Sequence, residues 1–153
     1  MTKKVFIGCD NAGIALKPAI LSVLNEVGCD VEEIGVFSAD DDTYYPLIAE
    51  KLCKALTEAG PSAQGILLCG TGIGMAMTAN KFPGVFAAVC HDIYSAERSR
   101  LSNDGNVLCM GARVIGPELA KTIARRWLGL TFQDGSSTPK VAEMQRIDKE
   151  RRA

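Results

Sequence analysis

Short runs of consecutive apolar residues alternate along this chain with longer segments in which apolar residues recur every three or four positions. The first pattern predicts buried β-strands and the second predicts amphipathic helices. The runs are mostly continuous, as expected where helices cover both faces of a parallel sheet. The alternation therefore predicts one doubly wound α/β domain with a five-stranded parallel sheet. The predicted strands are residues 5–9, 31–34, 65–69, 85–89 and 107–110, and the predicted helices are residues 14–27, 45–56, 75–81, 93–101 and 117–128.

The last part of the chain departs from this alternation. Residues 131–138 are polar and rich in Gly and Ser, which predicts a loop, and a helical segment follows. Val141, Met144 and Ile147 fall on one side of this tail helix. Such an apolar stripe must be covered, either by the helix's own domain or by a second subunit. We expect a single α/β domain over residues 1–130, and a C-terminal loop and helix over residues 131–153 that pack on a partner subunit.

Charge and composition narrow the class of function. The 153 residues carry a net charge of −1, so no basic field attracts nucleic acid or an anionic membrane. No apolar run approaches the roughly 20 residues of a membrane span, and the first residues predict a strand rather than a signal peptide. The six cysteines include no Cys-x-x-Cys pair, which argues against a zinc site, and the size of the chain argues against a disulfide framework. We therefore expect a cytoplasmic protein without nucleic-acid or membrane partners.

One stretch points to chemistry. The third predicted strand ends in Cys69, and the turn Gly-Thr-Gly-Ile-Gly follows it directly, before a helix begins. A strand that feeds a glycine-rich turn and a helix N-terminus gathers several backbone N–H groups around one point, where they can hold an anion. A thiol beside an anion site suggests a base or nucleophile. The alternatives are that Cys69 is a core thiol and that the glycines only form a tight turn. Met75 and Met77, in the helix that follows, are expected in the core.

Further polar residues follow other predicted strands. Asp10 and Asn11 follow the first, His91 follows the fourth and Arg113 follows the fifth. In doubly wound folds, ligands bind outside the carboxyl ends of the strands, so these residues are candidates for one site. Each also has a structural alternative. Asp10 could cap a helix, His91 could be a hydrogen-bonded group behind the site, and Arg113 could be a solvated loop charge.

Three familiar motifs are excluded by the residues present. A Cys-x5-Arg phosphatase loop would need Arg where the chain has Met75, and the Gly-Lys-Ser/Thr of a nucleotide-binding P-loop is missing. The first strand–helix turn lacks the three glycines of the dinucleotide fingerprint. Phosphatase, P-loop and dinucleotide-dependent activities are therefore not expected.

Five motifs in fixed order closely resemble the type B ribose-5-phosphate isomerases, a family that includes the galactose-6-phosphate isomerase subunits. The resemblance extends from the first strand to about Phe132. It implies a Rossmann-like three-layer αβα fold, a homodimer or dimer of dimers, active sites built from two subunits, and no metal or organic cofactor. The motifs are Gly-Cys-Asp-Asn-Ala-Gly at 8–13, Cys-Gly-Thr-Gly-Ile-Gly at 69–74, Ala-Asn-Lys-Phe-Pro-Gly at 79–84, Asn-Asp-Gly-Asn-Val at 103–107 and Gly-Ala-Arg-Val-Ile-Gly at 111–116.

The resemblance also implies a chemistry for these residues. Aldose–ketose isomerisation moves a proton between C1 and C2 through an enediolate, with Cys69 in the position of the family's base. The amides of the turn after it match the family's anion hole, with Thr71 assisting, and such preorganised donors are usually the largest catalytic contribution. Asp10 would orient the substrate hydroxyls, Asn103 would hold the reacting oxygens and Arg113 is a candidate for the phosphate. The other substrate-binding candidates are Gly70, Gly72, Ile73 and Gly74 of the turn, with Asn11, His91, Ser136 and Lys140.

The chain departs from the family pattern at several positions. Many members have His where this chain has Asn11 and where it has Ser102, and Asp where it has Tyr44. In the tail, a Gly-Gly-Arg-His stretch with a further Arg gives way to Asp-Gly-Ser-Ser at residues 134–137, with Lys140 in place of that Arg. The proton-transfer residues are kept, whereas the ring-opening and phosphate-binding residues are altered.

These departures leave the substrate open. Ribose 5-phosphate and ribulose 5-phosphate are the family default, but ribose 5-phosphate is largely cyclic and must open before it isomerises. Erythrose 4-phosphate cannot close a furanose because O4 carries the phosphate, so an enzyme for a tetrose phosphate needs no ring-opening histidine. Family members that act on erythrulose phosphate look similar here. A non-catalytic sugar-phosphate-binding subunit is a third possibility, and a flavodoxin-like cofactor binder a fourth.

Overall fold

The apolar runs form five parallel strands in the computed structural model, which describes residues 2–151. Their order across the sheet, numbered along the chain, is β2-β1-β3-β5-β4. The strands are β1 (Lys4–Cys9), β2 (Asp30–Gly35), β3 (Gln64–Cys69), β4 (Ala87–Val89) and β5 (Val107–Gly111), and the helices are α1 (Lys17–Val27), α2 (Tyr45–Ala59), α3 (Ile73–Ala79), α4 (Ile93–Leu101), α5 (Pro117–Leu128) and α6 (Thr138–Glu150). The predicted five-stranded parallel α/β fold is confirmed.

Helices cover the sheet in two groups. Helices α1, α5 and α4 pack side by side, and α2 packs against α3. The central strand β3 is buried along its whole length, as are all residues of β5. The fully buried Trp127 of α5 donates its indole N–H to Ser99 of α4 at 3.2 Å, which satisfies both polar groups inside the core. The continuous apolar runs of the central strands therefore reflect burial on both faces, whereas the edge strand β2 is mostly exposed and β4 is half-buried.

Some predicted boundaries are shifted by local chemistry. The helix predicted from residue 14 starts with a 3₁₀ turn, Ile14–Leu16, and α1 begins at Lys17 with Pro18 in its first turn. The strand predicted from residue 85 begins only at Ala87. Phe86 donates its amide to the Asn106 side chain at 2.8 Å, so this residue is held by a side chain before the strand pairing starts.

The prediction for the two methionines is confirmed for one and wrong for the other. Met75 is fully buried, whereas Met77 is 67% exposed. Residues two positions apart lie on nearly opposite sides of an α-helix, so α3 can bury only one of them against the sheet.

Helix α6 contacts its own domain at the amino edge of the sheet. Asp148 accepts the amide N–H of Gly84 at 3.0 Å, and Arg151 donates to the carbonyl of Asn80 at 3.1 Å. Val141 is buried, while Ile147 of the same apolar stripe is 55% exposed. Packing of this tail on a partner subunit stays a prediction, and its last two residues, 152 and 153, lie outside the described part of the chain. No helix within residues 2–151 is long and apolar enough to cross a membrane.

The turn after β1 approaches the end of β3 so closely that only glycine fits. A Cβ on Gly13 would lie 2.3 Å from the carbonyl oxygen of Leu68, a distance that real Cβ atoms do not reach. The amide of Asp10 donates to the same carbonyl at 3.3 Å. The two chain segments that carry Asp10 and Cys69 are therefore held together through their backbones.

We expect Gly13→Ala to lower the free energy of unfolding by about 2 kcal/mol or more, because the added methyl must push two backbone segments apart. Gly135→Ala is the matched control, since a Cβ there meets no atom within 4 Å and its φ is not positive. We expect the control to change stability by less than about 0.5 kcal/mol. Urea denaturation followed by circular dichroism measures both, and equal stabilities for the two variants would contradict the close approach.

Candidate active site

The carboxyl ends of three neighbouring strands bring three loops together. They are the turn after β1, the cysteine loop (residues 69–74) after β3, and the β5–α5 turn (residues 111–116). Ala112 donates its amide to the carbonyl of Cys69 at 2.9 Å, and Arg113 donates its amide to Gly70 at 3.0 Å. The cysteine loop is therefore fixed by backbone hydrogen bonds from the β5–α5 turn.

The thiol of Cys69 sits directly under the start of α3. Its side chain is buried, with 5% of the residue exposed, and Sγ accepts the amide N–H of Gly72 at 3.0 Å. Gly72 has a φ of +78°, a left-handed conformation that strongly favours glycine, and this conformation turns its amide back towards the sulfur. An N–H donor at the positive end of a helix stabilises negative charge on the sulfur.

Three amides of the cysteine loop remain available. No hydrogen bond among the described residues engages the backbone N–H groups of Gly70, Thr71 and Gly74. The Thr71 hydroxyl oxygen accepts the amide of Ile73 at 3.2 Å, which leaves its hydrogen free to donate. These donors lie on the same short loop as the thiol.

A cavity of about 360 Å³ opens beside this loop. Tyr45, at the start of α2, packs on the loop so closely that a Cβ on Gly74 would lie 2.5 Å from Cζ of its ring and 2.9 Å from its hydroxyl oxygen. The Tyr45 ring therefore lines the cavity and also contacts the cysteine loop. Cys69 itself does not line this cavity. The lining consists of Asp10, Asn11, Asp42, Thr43, Tyr44, Tyr45 and Pro46.

The second wall of this cavity, residues 42–46, has little signal in the sequence. Pro46 fits the first turn of a helix, and Tyr44 stands out only as a departure from the motif pattern, so neither residue marks a cavity wall. The available signal was the aromatic Tyr45 beside that proline. Its contact with Gly74 joins segments about thirty residues apart, and such contacts carry no local periodicity.

Asp10 both builds the turn and faces the cavity. One carboxylate oxygen accepts the amide of Gly13 at 2.9 Å and so closes the turn after β1, whereas neither the 3₁₀ turn nor α1 is capped by a side chain. The other oxygen has no hydrogen-bond partner among the described residues, although the residue is only 8% exposed. That second oxygen is available to orient a bound hydroxyl.

Arg113 lies over the cysteine loop. Its Nη1 is 3.1 Å from the point where a Cβ on Gly70 would stand, and within residues 2–151 no carboxylate pairs with it. The guanidinium is exposed at the carboxyl edge of the sheet. An unpaired arginine beside free amides suits a phosphate or another anion.

His91 supports the site from behind. Its Nε2 accepts the amide N–H of Gly111 at 2.9 Å. Burial lowers the pKa of His91 below its ordinary value, with the carboxylate of Asp92 acting in the opposite direction. The imidazole is therefore neutral in this arrangement and makes the hydrogen bond of the structural alternative.

Three predicted site residues lie elsewhere in the chain. Asn103 follows α4 and lines a cavity of about 440 Å³ beside α6, at the amino edge of the sheet. Ser136 is exposed in the loop before α6, and Lys140 is exposed in the first turn of α6. One chain thus brings Asp10, Cys69 and Arg113 together but leaves these three outside the cluster. The part of the chain that the structure describes holds no group of three His, Cys, Asp or Glu side chains that could bind a metal ion.

Comparison of the whole chain with known proteins shows what it is similar to. The family model described as Ribose/Galactose Isomerase matches residues 5–144. The D-erythrulose-4-phosphate isomerase of Pectobacterium atrosepticum is 46% identical over 140 residues, covering 92% of this chain and 91% of the relative. The Ribose-5-P isomerase B of Listeria innocua is 45% identical over 149 residues, covering 97% and 99%. The structure of ribose-5-phosphate isomerase B from Clostridium thermocellum superposes with a TM-score of 0.90 at 37% identity, covering 97% of this chain and 99% of that one.

Proposed function

The chain belongs to the ribose/galactose isomerase family, and from this membership we propose that it interconverts the aldose and ketose forms of a small sugar phosphate through a cis-enediolate. It needs no organic cofactor for this reaction, because the thiol and amides at the carboxyl edge suit proton transfer. The observation that carries the proposal is the hydrogen bond from Gly72 to the sulfur of Cys69, beside three unengaged amides. That arrangement supplies a base and an oxyanion site within one loop.

The proton transfer is assigned to Cys69. Its thiolate removes the proton from C2 of the aldose, and the electron pair left behind forms the C1–C2 double bond of the enediolate. The carbonyl oxygen at C1 gains the negative charge, which the free amides of Gly70, Thr71 and Gly74 stabilise. The hydrogen of the C2 hydroxyl passes to the C1 oxygen with the Thr71 hydroxyl assisting at these oxygens, and the thiol returns its proton to C1 as the C2–O2 bond becomes the ketose carbonyl. Asp10 orients the substrate hydroxyls with its unengaged carboxylate oxygen.

The phosphate is assigned to cationic and polar groups. Arg113 has no carboxylate partner in the described chain and lies over the cysteine loop, which supports a role in phosphate binding. Lys140 and Ser136 of the tail are the further candidates, and Asn11 is positioned in the cavity to contact the sugar. Asn103 completes the set by holding the reacting oxygens.

We assign the complete site to two copies of the chain, in a homodimer or a dimer of dimers. The position of Asn103 at the opposite edge of the sheet from the cysteine loop supports this, because the strands of one domain hold the two edges apart. Exposed apolar side chains beside the site, including Tyr44, Leu47 and Met77, would be buried by a second copy. The six cysteines are all free thiols, which fits a reducing compartment such as the cytoplasm.

The choice of sugar depends on ring opening. His91 is the only histidine of the chain, and its Nε2 is already engaged by Gly111. Ser102, which stands where the family has a ring-opening histidine, has a hydroxyl that is a far weaker acid and base at neutral pH. Ribose 5-phosphate remains the family default, while this observation favours an open-chain tetrose phosphate such as erythrose 4-phosphate. The relatives named for both substrates are almost equally similar to this chain.

The role of Cys69 is tested by deuterium exchange. In D₂O, the wild-type protein should introduce deuterium at C2 of the recovered aldose phosphate, and Cys69→Ala should lower this rate by about 10²-fold or more. Cys53→Ala is the control: this thiol is buried in α2, and burial raises its pKa to about 12, so it cannot act as a base at neutral pH. Exchange that survives in Cys69→Ala would contradict the assignment, and no exchange in the wild type would favour the non-catalytic binding subunit.

The substrate is tested by comparing kcat/KM for erythrose 4-phosphate and ribose 5-phosphate. We expect the tetrose to be preferred by about tenfold or more, because no histidine is free to open the furanose. Ser102→His should raise turnover of ribose 5-phosphate and leave that of erythrose 4-phosphate nearly unchanged. Strong wild-type activity on ribose 5-phosphate would defeat the ring-opening argument.

Sharing of sites between subunits is tested by mixing two variants. Cys69→Ala and Asn103→Ala should each be nearly inactive alone, because each lacks one half of every site. Random reassociation makes half of the dimers mixed, and each mixed dimer has one intact site, so about a quarter of the wild-type activity should return. If each chain built its own site, mixing would restore nothing. Size-exclusion chromatography with light scattering measures the assembly in parallel.

A further inference from the structure

The imidazole of His91 lies just beyond the end of the edge strand β4, where β5 continues without a partner strand on that side. The edge strand β4 ends at Val89, whose partner on β5 is Cys109. Gly111 lies two residues further along β5 and has no partner residue on β4. Its amide N–H donates to Nε2 of His91 at 2.9 Å. The side chain thus supplies the acceptor that a longer β4 would supply with a carbonyl.

Gly111 in turn touches the cysteine loop. A Cβ on Gly111 would lie 2.5 Å from Cα of Thr71 and 2.6 Å from the carbonyl oxygen of Gly70, so the two backbones are in direct contact. The carbonyl of Gly111 accepts the amide of Val114 at 3.0 Å. Gly111 is therefore held by His91 through its N–H and by its own turn through its C=O, with Gly70 and Thr71 packed against its Cα.

We propose that His91 is a positioning residue of this isomerase, whose neutral imidazole fixes Gly111 and, through it, the amides of Gly70 and Thr71 that hold the enediolate oxygen. The catalytic part rests on the proposed function, whereas the bond between His91 and Gly111 does not. The Nε2 atom that could have contacted substrate is used to support the loop. A shift of the loop by even a fraction of an ångström would misalign its donors, because such donors act only when placed on the developing charge.

The protonation state follows from the hydrogen bond. An Nε2 that accepts a proton donor must carry its lone pair, so the ring is neutral with its hydrogen on Nδ1. Protonation would place an N–H against the N–H of Gly111 and break the contact. Asp92 at the start of α4 raises the pKa of His91, while burial has the larger, lowering effect, and Arg113 of the β5–α5 turn is directed over Gly70.

Nitrogen NMR of the wild-type protein tests this state directly. Because His91 is the only histidine, its ring gives a single pair of ¹⁵N signals, and these need no assignment to a residue. We expect the Nδ1–H tautomer at neutral pH and a pKa below 6.5, the ordinary value of the group. An Nε2–H tautomer, or a pKa at or above that value, would overturn the proposal.

Kinetics of two variants test the positioning role. His91→Leu removes the acceptor, and we expect kcat to fall by about tenfold or more with KM changed less than about twofold. His91→Gln supplies a carbonyl acceptor and should recover most of the loss. As the pH drops through the lowered pKa of His91, the wild-type kcat should fall more steeply than that of His91→Gln, which has no imidazole to protonate.

Two kinetic results for His91→Leu would contradict the positioning role. Unchanged kcat in His91→Leu would overturn the proposal, and so would a raised KM with normal kcat, which is what loss of a substrate ligand would give. If His91→Leu fails to fold, the tautomer of the wild type and the pH profiles of the wild type and His91→Gln still decide whether His91 positions the loop. A wild-type protein with the expected tautomer but no isomerase activity would refute the proposed function and not the His91–Gly111 bond.

Discussion

The site depends on backbones that approach one another more closely than any side chain would allow. Gly13 lies against the carbonyl of Leu68, and Gly111 lies against Gly70 and Thr71. At both places a single Cβ would fall well inside the van der Waals distance. This contact brings the turn after β1, the cysteine loop and the β5–α5 turn into one unit. The cysteine loop, which carries the thiol and its free amides, is thereby held against the turns that carry Asp10 and Arg113.

Cys69 is buried like most cysteines of the chain, but the hydrogen bond at its sulfur distinguishes it from them. Burial raises the pKa of Cys9 to about 11 and that of Cys53 to about 12, and it raises the pKa of Cys109 well above the ordinary value. Among the described residues, Cys69 is the cysteine whose sulfur accepts a backbone N–H. Thiols of the core are kept neutral by their apolar surroundings, whereas a thiol at a helix N-terminus has a donor ready for its anion. The same residue type is therefore inert in one layer of the fold and suited to chemistry at its edge.

The fold also explains why one chain holds only part of the proposed machinery. Residues that follow strands gather at the carboxyl edge, and those that follow helices gather at the amino edge. Asn103 follows α4, so it lies at the opposite edge from Cys69. A parallel sheet cannot bring its two edges together within one domain, and this is the geometric reason for proposing that a second copy of the chain completes the site.

The sequence alone determined the five strands, the helices between them and the expectation of a site after Cys69. Apolar periodicity reports burial directly, and the carboxyl ends of parallel strands necessarily share one edge of the sheet. Only the tertiary structure placed Tyr45 on Gly74, directed Nε2 of His91 to Gly111, turned Met77 outwards and separated Asn103 from the thiol. Each of these facts depends on which segments pack together and at what distance. Local periodicity fixes which face of an element is buried, whereas the partner it meets is fixed by the packing of the whole domain.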